Sequence, residues 1–307
     1  MDNLNYEKVF NTLVNKTAEY LIENNLKAMV LGISGGIDST VVAAICHEVS
    51  KQTGIPLIGR SLPIKNKNDE FSTSELVGKA FCNNFQVVYL EDSYFQILND
   101  IIGFEEGFTE FGTPIQSEHQ TPIANGNIQA RLRMIYLYNL ASIHKGLVMS
   151  TDNQTEYQLG FWTLHGDVGD FDPIQELWKT EVYELARWLV THYQNIAKFP
   201  ERECWENPAW KAIVESIRLT PTDGLGISNS DLEQIGAKSY AEVDDILQTL
   251  IPYCEVKPEL GTILSVLDKL NEIHGEEVVD KVWNRHLFSS FKRAKSPIYI
   301  PRQCYAN

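Results

Sequence analysis

The chain has 307 residues, 43% of them hydrophobic, enough for one large α/β domain or two small ones with a buried core. A net charge of −15 argues against broad non-specific nucleic-acid binding, which needs surplus Lys and Arg, and no run of roughly 18 apolar residues suggests a membrane span. The five cysteines form no C-x-x-C and the seven histidines no H-x-x-x-H, which fits reduced thiols in a cytoplasmic protein and leaves hard oxygen donors for any metal.

Residues 5–25 carry Val9, Leu13, Ala18, Leu21 and Ile22 on one helical stripe, with neither a signal-peptide nor a transit-peptide pattern. "KAMVLGIS" reads as a buried strand, and Thr40 to about Lys51 as a helix. "PLIGRSLP" is a second strand, followed by the polar loop "IKNKNDE" and a helix through Asn83. "FQVVYLE" is a third strand, with a helix to about Gly103. Residues 104–126 break the rhythm with Gly, Thr, Pro and acids, a length of irregular chain that is usually functional or disordered. "NIQARLRMIYLYNLASIHKG" returns as a helix, and "LVMS" as a strand. "TDNQTEYQLGFWT" turns from loop to helix with Thr151 or Asp152 as N-cap. A glycine-rich acidic loop, "HGDVGDFDP", precedes the amphipathic helix "KTEVYELARWLVTHY". Residues 196–230 read as a second irregular region. A C-terminal helical and tail region runs over about 230–307 and carries the one basic cluster, "FKRAKSPIYIPR". Alternating strands and helices favour one doubly wound, Rossmann-like α/β domain: a central parallel sheet with helices on both faces.

The stretch "GISGGIDST" sits between the first strand and its helix. A glycine turn at a helix N-terminus turns several backbone N–H groups toward an anion, and the helix dipole adds to their field. Gly35 and Gly36 allow close approach, while Ser34, Ser39 and Thr40 offer hydroxyls. The lysine of the G-x-x-x-x-G-K-[ST] loop is missing, and Asp38 stands before the hydroxyls. A carboxylate repels a bare phosphate, so Asp38 is expected to act through Mg²⁺.

This loop resembles that of the N-type ATP pyrophosphatases, which attack the α-phosphate of ATP and release pyrophosphate. Three further blocks follow: "GNIQARLRM", "STDNQTEYQLGFWTLHGDVGD" and "LWKTEVYELARWL". With "LTPTDGL" and "SYAEVDDIL" they resemble, in order and over roughly residues 5–300, the NAD⁺ synthetase family. The resemblance implies a ligase that amidates deamido-NAD⁺ to NAD⁺ through an adenylated intermediate, using ATP and ammonia and releasing AMP and pyrophosphate. It also implies a homodimer. The loop begins about thirty residues in, so no glutaminase domain is expected. By the same resemblance Gly32, Ile33, Ser34, Gly35, Gly36, Ile37, Asp38 and Ser39 hold the ATP phosphates, joined by Thr151, Lys179 and Thr222. Asp38 and Glu156 take Mg²⁺, and Arg131, Asp170, Phe291 and Lys292 meet deamido-NAD⁺. Asp38, Lys179 and Asp170 carry the catalysis.

Four positions depart from the family pattern. Leu164 stands where the family has a lysine that meets the dinucleotide. Phe291 replaces a histidine. Ser61 takes the place of an arginine, with Arg60 one residue earlier. The acidic loop is one residue shorter, which makes Asp172 a rival of Asp170. Residues 104–126 and 200–230 are expected to act as lids. The loop by itself leaves open another adenylating ligase, GMP-synthetase-like or tRNA-modifying, and a nucleotide-binding relative without turnover.

Overall fold

A computed structural model describes residues 4–64, 68–106, 120–197, 206–221, 230–256 and 260–293. Helix α1 (Tyr6–Glu23) opens the chain, its Asn5 side chain accepting from Lys8 N. Strand β1 (Met29–Gly32) leads to α2 (Ile37–Thr53), β2 (Leu57–Ser61), α3 (Asn68–Phe81), β3 (Asn84–Val87) and α4 (Glu91–Glu106). After α5 (Gln120–Ile143) comes β4 (Leu147–Val148), whose backbone pairs with β1. The four strands are parallel and lie in the order β3-β2-β1-β4. The chain therefore leaves β1 toward β2 on one side and returns to β4 on the other. That reversal is the switch point of a doubly wound sheet, where ligands bind at the carboxyl ends of the strands.

Alternation along β1 fixes which helices lie where. Met29 and Leu31 enter a core shared with α1, α2, α7 (Lys179–Ala197) and α8 (Pro208–Arg218). Val30 points the other way, into a core with Leu132, Leu137 and Ala141 of α5. Period-two side-chain direction thus buries both faces, as a parallel sheet requires. A third apolar cluster joins the short α6 (Gln154–Leu159) to α9 (Asp231–Ile235), α10 (Tyr240–Val256), α11 (Leu260–His274) and α12 (Glu276–Phe288). The four-residue α13 (Ser290–Arg293) follows.

Local expectations differ from the structure at several places. Helix α3 starts at Asn68, inside the stretch read as a polar loop, with Asp69 and Glu70 in its first turn, where a helix dipole favours acids. Residues 120–126, read as irregular, form the first turns of α5. Helix α8 lies within the second stretch read as irregular. Its start is well marked: the Asn207 side chain accepts from Ala209 N and Trp210 N, and Pro208 stands where a missing N–H costs nothing. Of the two expected lids, residues 107–119, 200–205 and 222–229 lie outside the described residues.

Candidate active site

Two cavities open side by side at the carboxyl ends of the strands. The first, of about 480 Å³, is floored by Gly32, Ser34, Gly36 and Asp38. The second, of about 430 Å³, is walled by Tyr157, Trp162, Leu164 and Asp172. Met134 of α5 lines both.

The loop between β1 and α2 is held from within. Ser34 Oγ lies 3.0 Å from Ser39 Oγ and accepts from Gly36 N at 3.2 Å. Gly35 has φ +90°, and a Cβ there would meet the Glu70 carbonyl oxygen at 2.6 Å and Ser74 N at 2.8 Å. Only glycine permits both that backbone and that closeness to α3. Behind the loop, Thr40 Oγ1 lies 2.7 Å from Ser216 Oγ of α8.

Across the cavity, three elements meet at one cation. Lys179, 1% exposed, donates from Nζ to Asp38 Oδ2 at 2.5 Å and to Glu156 Oε1 at 2.8 Å. Its ammonium also lies 5.5 Å from the centre of the Tyr240 ring. Burial alone would lower the lysine pKa, but the charges of Asp38 and Glu156 reverse this and hold it well above the usual value. Burial pushes the Glu156 carboxyl up to about 7, with Lys179 opposing the shift and Asp38 adding to it. Asn153 completes the group. Its Nδ2 donates to Asp38 Oδ1 at 2.9 Å, and its Oδ1 accepts from Glu156 N at 3.1 Å. Asn153, and not Thr151 or Asp152, is therefore the N-cap of α6. The sequence carried this signal, since Asn153 precedes Glu156 by three residues as in a capping box. The two hard carboxylates already flank a cation, so their chemistry fits Mg²⁺. Among the described residues no group of three His, Cys, Asp or Glu side chains converges on one point, so phosphate and water oxygens must complete such a shell.

Gly32, Ile33, Ser34, Gly36, Ile37, Asp38, Thr151, Glu156 and Lys179 all line the first cavity. Thr222 lies outside the described residues. Arg133, on the face of α5 toward this cavity, donates to Leu62 O at 3.0 Å. Arg60 is buried and turned to Asn84 Oδ1 at 3.0 Å, while Ser61 Oγ sits 2.8 Å from Ser74 Oγ.

The residues expected at the dinucleotide are more scattered. Lys292 lines the second cavity but spends its ammonium on Gly160 O, at 2.7 Å, and on Trp162 O. Arg131 is exposed and donates to Leu164 O at 3.0 Å. Asp170 accepts from Tyr138 Oη and Val148 N, both at 3.0 Å, so both its oxygens are engaged. Asp172 opens onto the second cavity while accepting from Ile174 N at 3.0 Å, and burial pushes its carboxyl up to about 7. Phe291 is 58% exposed and lines neither cavity. The acidic loop is pressed on the sheet end: a Cβ on Gly169 would come within 2.7 Å of Ser150 N.

The NAD synthase family model matches residues 9–296. The chain belongs to the NAD synthase family. The NH(3)-dependent NAD(+) synthetase of Campylobacter jejuni subsp. jejuni serotype O:23/36 (strain 81-176) is 30% identical over 251 residues, 81% of this chain and 90% of that relative. Among solved structures, an NMN synthetase from Francisella tularensis has a TM-score of 0.68 at 22% identity, covering 98% of this chain and all of the other. An NH3-dependent NAD synthetase from Campylobacter jejuni subsp. jejuni NCTC 11168, solved with a nitrate ion, has a TM-score of 0.65 at 20% identity and covers 97% of this chain and 100% of the other. At that identity both show the shared fold. Among the described residues no helix is long and apolar enough to cross a membrane.

Proposed function

We infer that the first cavity binds ATP and that the chain amidates deamido-NAD⁺ to NAD⁺ with ammonia, releasing AMP and pyrophosphate. The observation that carries this reading is the convergence of Asp38, Glu156 and Lys179, from three separate elements, at the mouth of the glycine loop. The backbone N–H groups at the start of α2 face the phosphates, and Ser34 and Ser39 add hydroxyls. Lys179 lies beside the α-phosphate, where negative charge grows as the nicotinate carboxylate attacks in line. Thr151, and by family resemblance Thr222, contact ATP. Asp38 and Glu156 hold Mg²⁺, which when bound neutralises charge on the departing pyrophosphate.

Deamido-NAD⁺ enters by the second cavity, so its nicotinate reaches the shared wall at Met134. Arg131, Asp170 and Lys292 shape that cavity through the Leu164 and Gly160 carbonyls and the end of β4, and Phe291 adjoins Lys292 in the chain. Ammonium must lose a proton before it attacks the adenylated carbonyl. Of Asp170 and Asp172, it is Asp172 that opens onto the second cavity, and its pKa of about 7 suits a base at physiological pH. Positioning and fixed charge supply the remaining acceleration. The enzyme works in the cytoplasm as a homodimer. Exposed Ile135 and Tyr138 on α5 support an apolar contact there.

A mononucleotide substrate is the second reading. Leu164 offers no cation to a second phosphate, and the Francisella relative is an NMN synthetase. Purified protein is incubated with ATP, Mg²⁺ and ammonium, and with deamido-NAD⁺, deamido-NMN or XMP in turn. AMP and amide should form with deamido-NAD⁺. Turnover confined to deamido-NMN supports the second reading, and no AMP from any of the three refutes the ligase.

A further inference from the structure

The segment "SYAEVDDIL" carries two adjacent acids on α10, and they live in different surroundings. The Asp245 side chain is 50% exposed and pairs with His274 Nε2 at 2.7 Å. Asp244 is fully buried and faces the active site from behind. Thr155 Oγ1 of α6 donates to its Oδ1 at 2.5 Å. The backbone N and the Oγ1 of Thr180, on α7, donate to its Oδ2 at 3.0 and 2.7 Å. Thr155 Oγ1 in turn accepts from Lys179 N at 2.9 Å.

The chain order gives this network its consequence. Thr155 adjoins Glu156, and Thr180 adjoins Lys179. One carboxylate on a third helix therefore ties together the two backbone segments that carry the Glu156–Lys179 pair. It also accepts from the Thr180 N–H at the start of α7, one of those with no partner within the helix, and it places negative charge where the helix dipole favours it. That charge offsets the unfavourable position of a lysine as the first residue of the helix.

We propose that Asp244 is a positioning residue for the adenylation step, setting the distance between the carboxylate of Glu156 and the ammonium of Lys179. The proposal rests on the ligase reading of the site. An asparagine there presents one acceptor oxygen and one NH₂ group, so it cannot accept from Thr155 Oγ1 and also from both donors of Thr180. One helix start then loses its anchor and the pair drifts apart. A displacement of about 1 Å can cost on the order of 10²-fold in rate.

The test uses the full chain, with Asp244→Asn, Asp245→Asn and Leu247→Ala compared with the wild type. Leu247 is fully buried on the same helix, in the third apolar cluster, and so serves as a control for lost stability. Melting temperature, kcat and KM for ATP and deamido-NAD⁺ are measured below the lowest melting point. Asp244→Asn should lower kcat on the order of 10²-fold with a far smaller change in KM. Leu247→Ala and Asp245→Asn should keep a nearly wild-type kcat, Leu247→Ala despite an equal or larger fall in melting temperature. Should Asp244→Asn not fold, Thr155→Val removes the α6 half of the anchor and should show the same kcat-selective loss. Wild-type kcat in the Asp244→Asn enzyme, or in Thr155→Val where that is the variant that folds, overturns the proposal. So does a kcat loss that merely tracks melting temperature as in Leu247→Ala. A wild type that makes no AMP overturns the ligase reading and the proposal with it.

Discussion

Replacing Lys179 by methionine keeps the length of the side chain and removes its charge. The two carboxylates it bridges are then stranded against each other. Lys179 is 1% exposed, and the side chains of Asp38 and Glu156 retain 16% and 17% exposure. Removing one partner of a buried ion pair costs about 3–5 kcal/mol, and the residual solvent at both acids puts this case near about 3 kcal/mol. At about 2–4 °C per kcal/mol for a domain of this size class, Tm falls by about 6–12 °C. Scanning calorimetry without nucleotide or metal measures it. The double variant Lys179→Met/Glu156→Gln strands one carboxylate fewer and should recover part of the loss, so the two changes are not additive. A Lys179→Met Tm within about 2 °C of the wild type, or a double variant less stable than Lys179→Met alone, refutes the picture of one cation balancing two acids.

Three more outcomes follow from particular contacts. Asp38→Asn keeps an acceptor for Asn153 but loses the charge, so AMP formation should fall on the order of 10²-fold with an unchanged near-ultraviolet spectrum. Gly35→Ala drives a methyl against the Glu70 carbonyl at 2.6 Å in a left-handed backbone, and urea unfolding should show a loss of about 2 kcal/mol or more. The Asp172 carboxyl has a folded pKa of about 7 against an ordinary 3.8, so between those values the folded chain holds a proton the unfolded chain releases, and stability falls as pH rises through this window. Asp172→Asn, which keeps an acceptor for Ile174 N, should therefore raise Tm more at about pH 8 than at about pH 5, and an equal gain at both would contradict the burial of that acid.

The sequence and the structure agree where periodicity and short-range chemistry decide. The strand–glycine loop–helix unit at Met29 to Thr53 was legible because apolar run, turn glycines and helix pattern all coincide. The grouping of Asp38, Thr151, Glu156 and Lys179 came from the family resemblance, and the four do line one cavity. Other features depend on neighbours distant in the chain. No local pattern says that Lys292 bonds carbonyls of the turn after α6, or that Asp170 caps the end of β4. Asp244 reads as one more acid on an amphipathic helix until α6 and α7 are packed against it. Asn153 and α8 are different cases. Their capping signals were present, but Thr151 and Asp152, two other good capping residues, preceded the first, and Trp, Pro and acids masked the helical stripe of the second.

The central claim is that the nicotinate carboxylate attacks the α-phosphate and that ammonia then displaces AMP from the activated acyl carbon. Deamido-NAD⁺ labelled with ¹⁸O in that carboxylate tests it directly, with mass spectrometry of the products after turnover with ATP, Mg²⁺ and ammonium. Attack at the α-phosphate forms a carboxylate-oxygen–phosphorus bond, and ammonia then breaks the carbon–oxygen bond. The account therefore predicts one ¹⁸O atom in AMP and none in pyrophosphate. Unlabelled AMP accompanying labelled phosphate or pyrophosphate would contradict it.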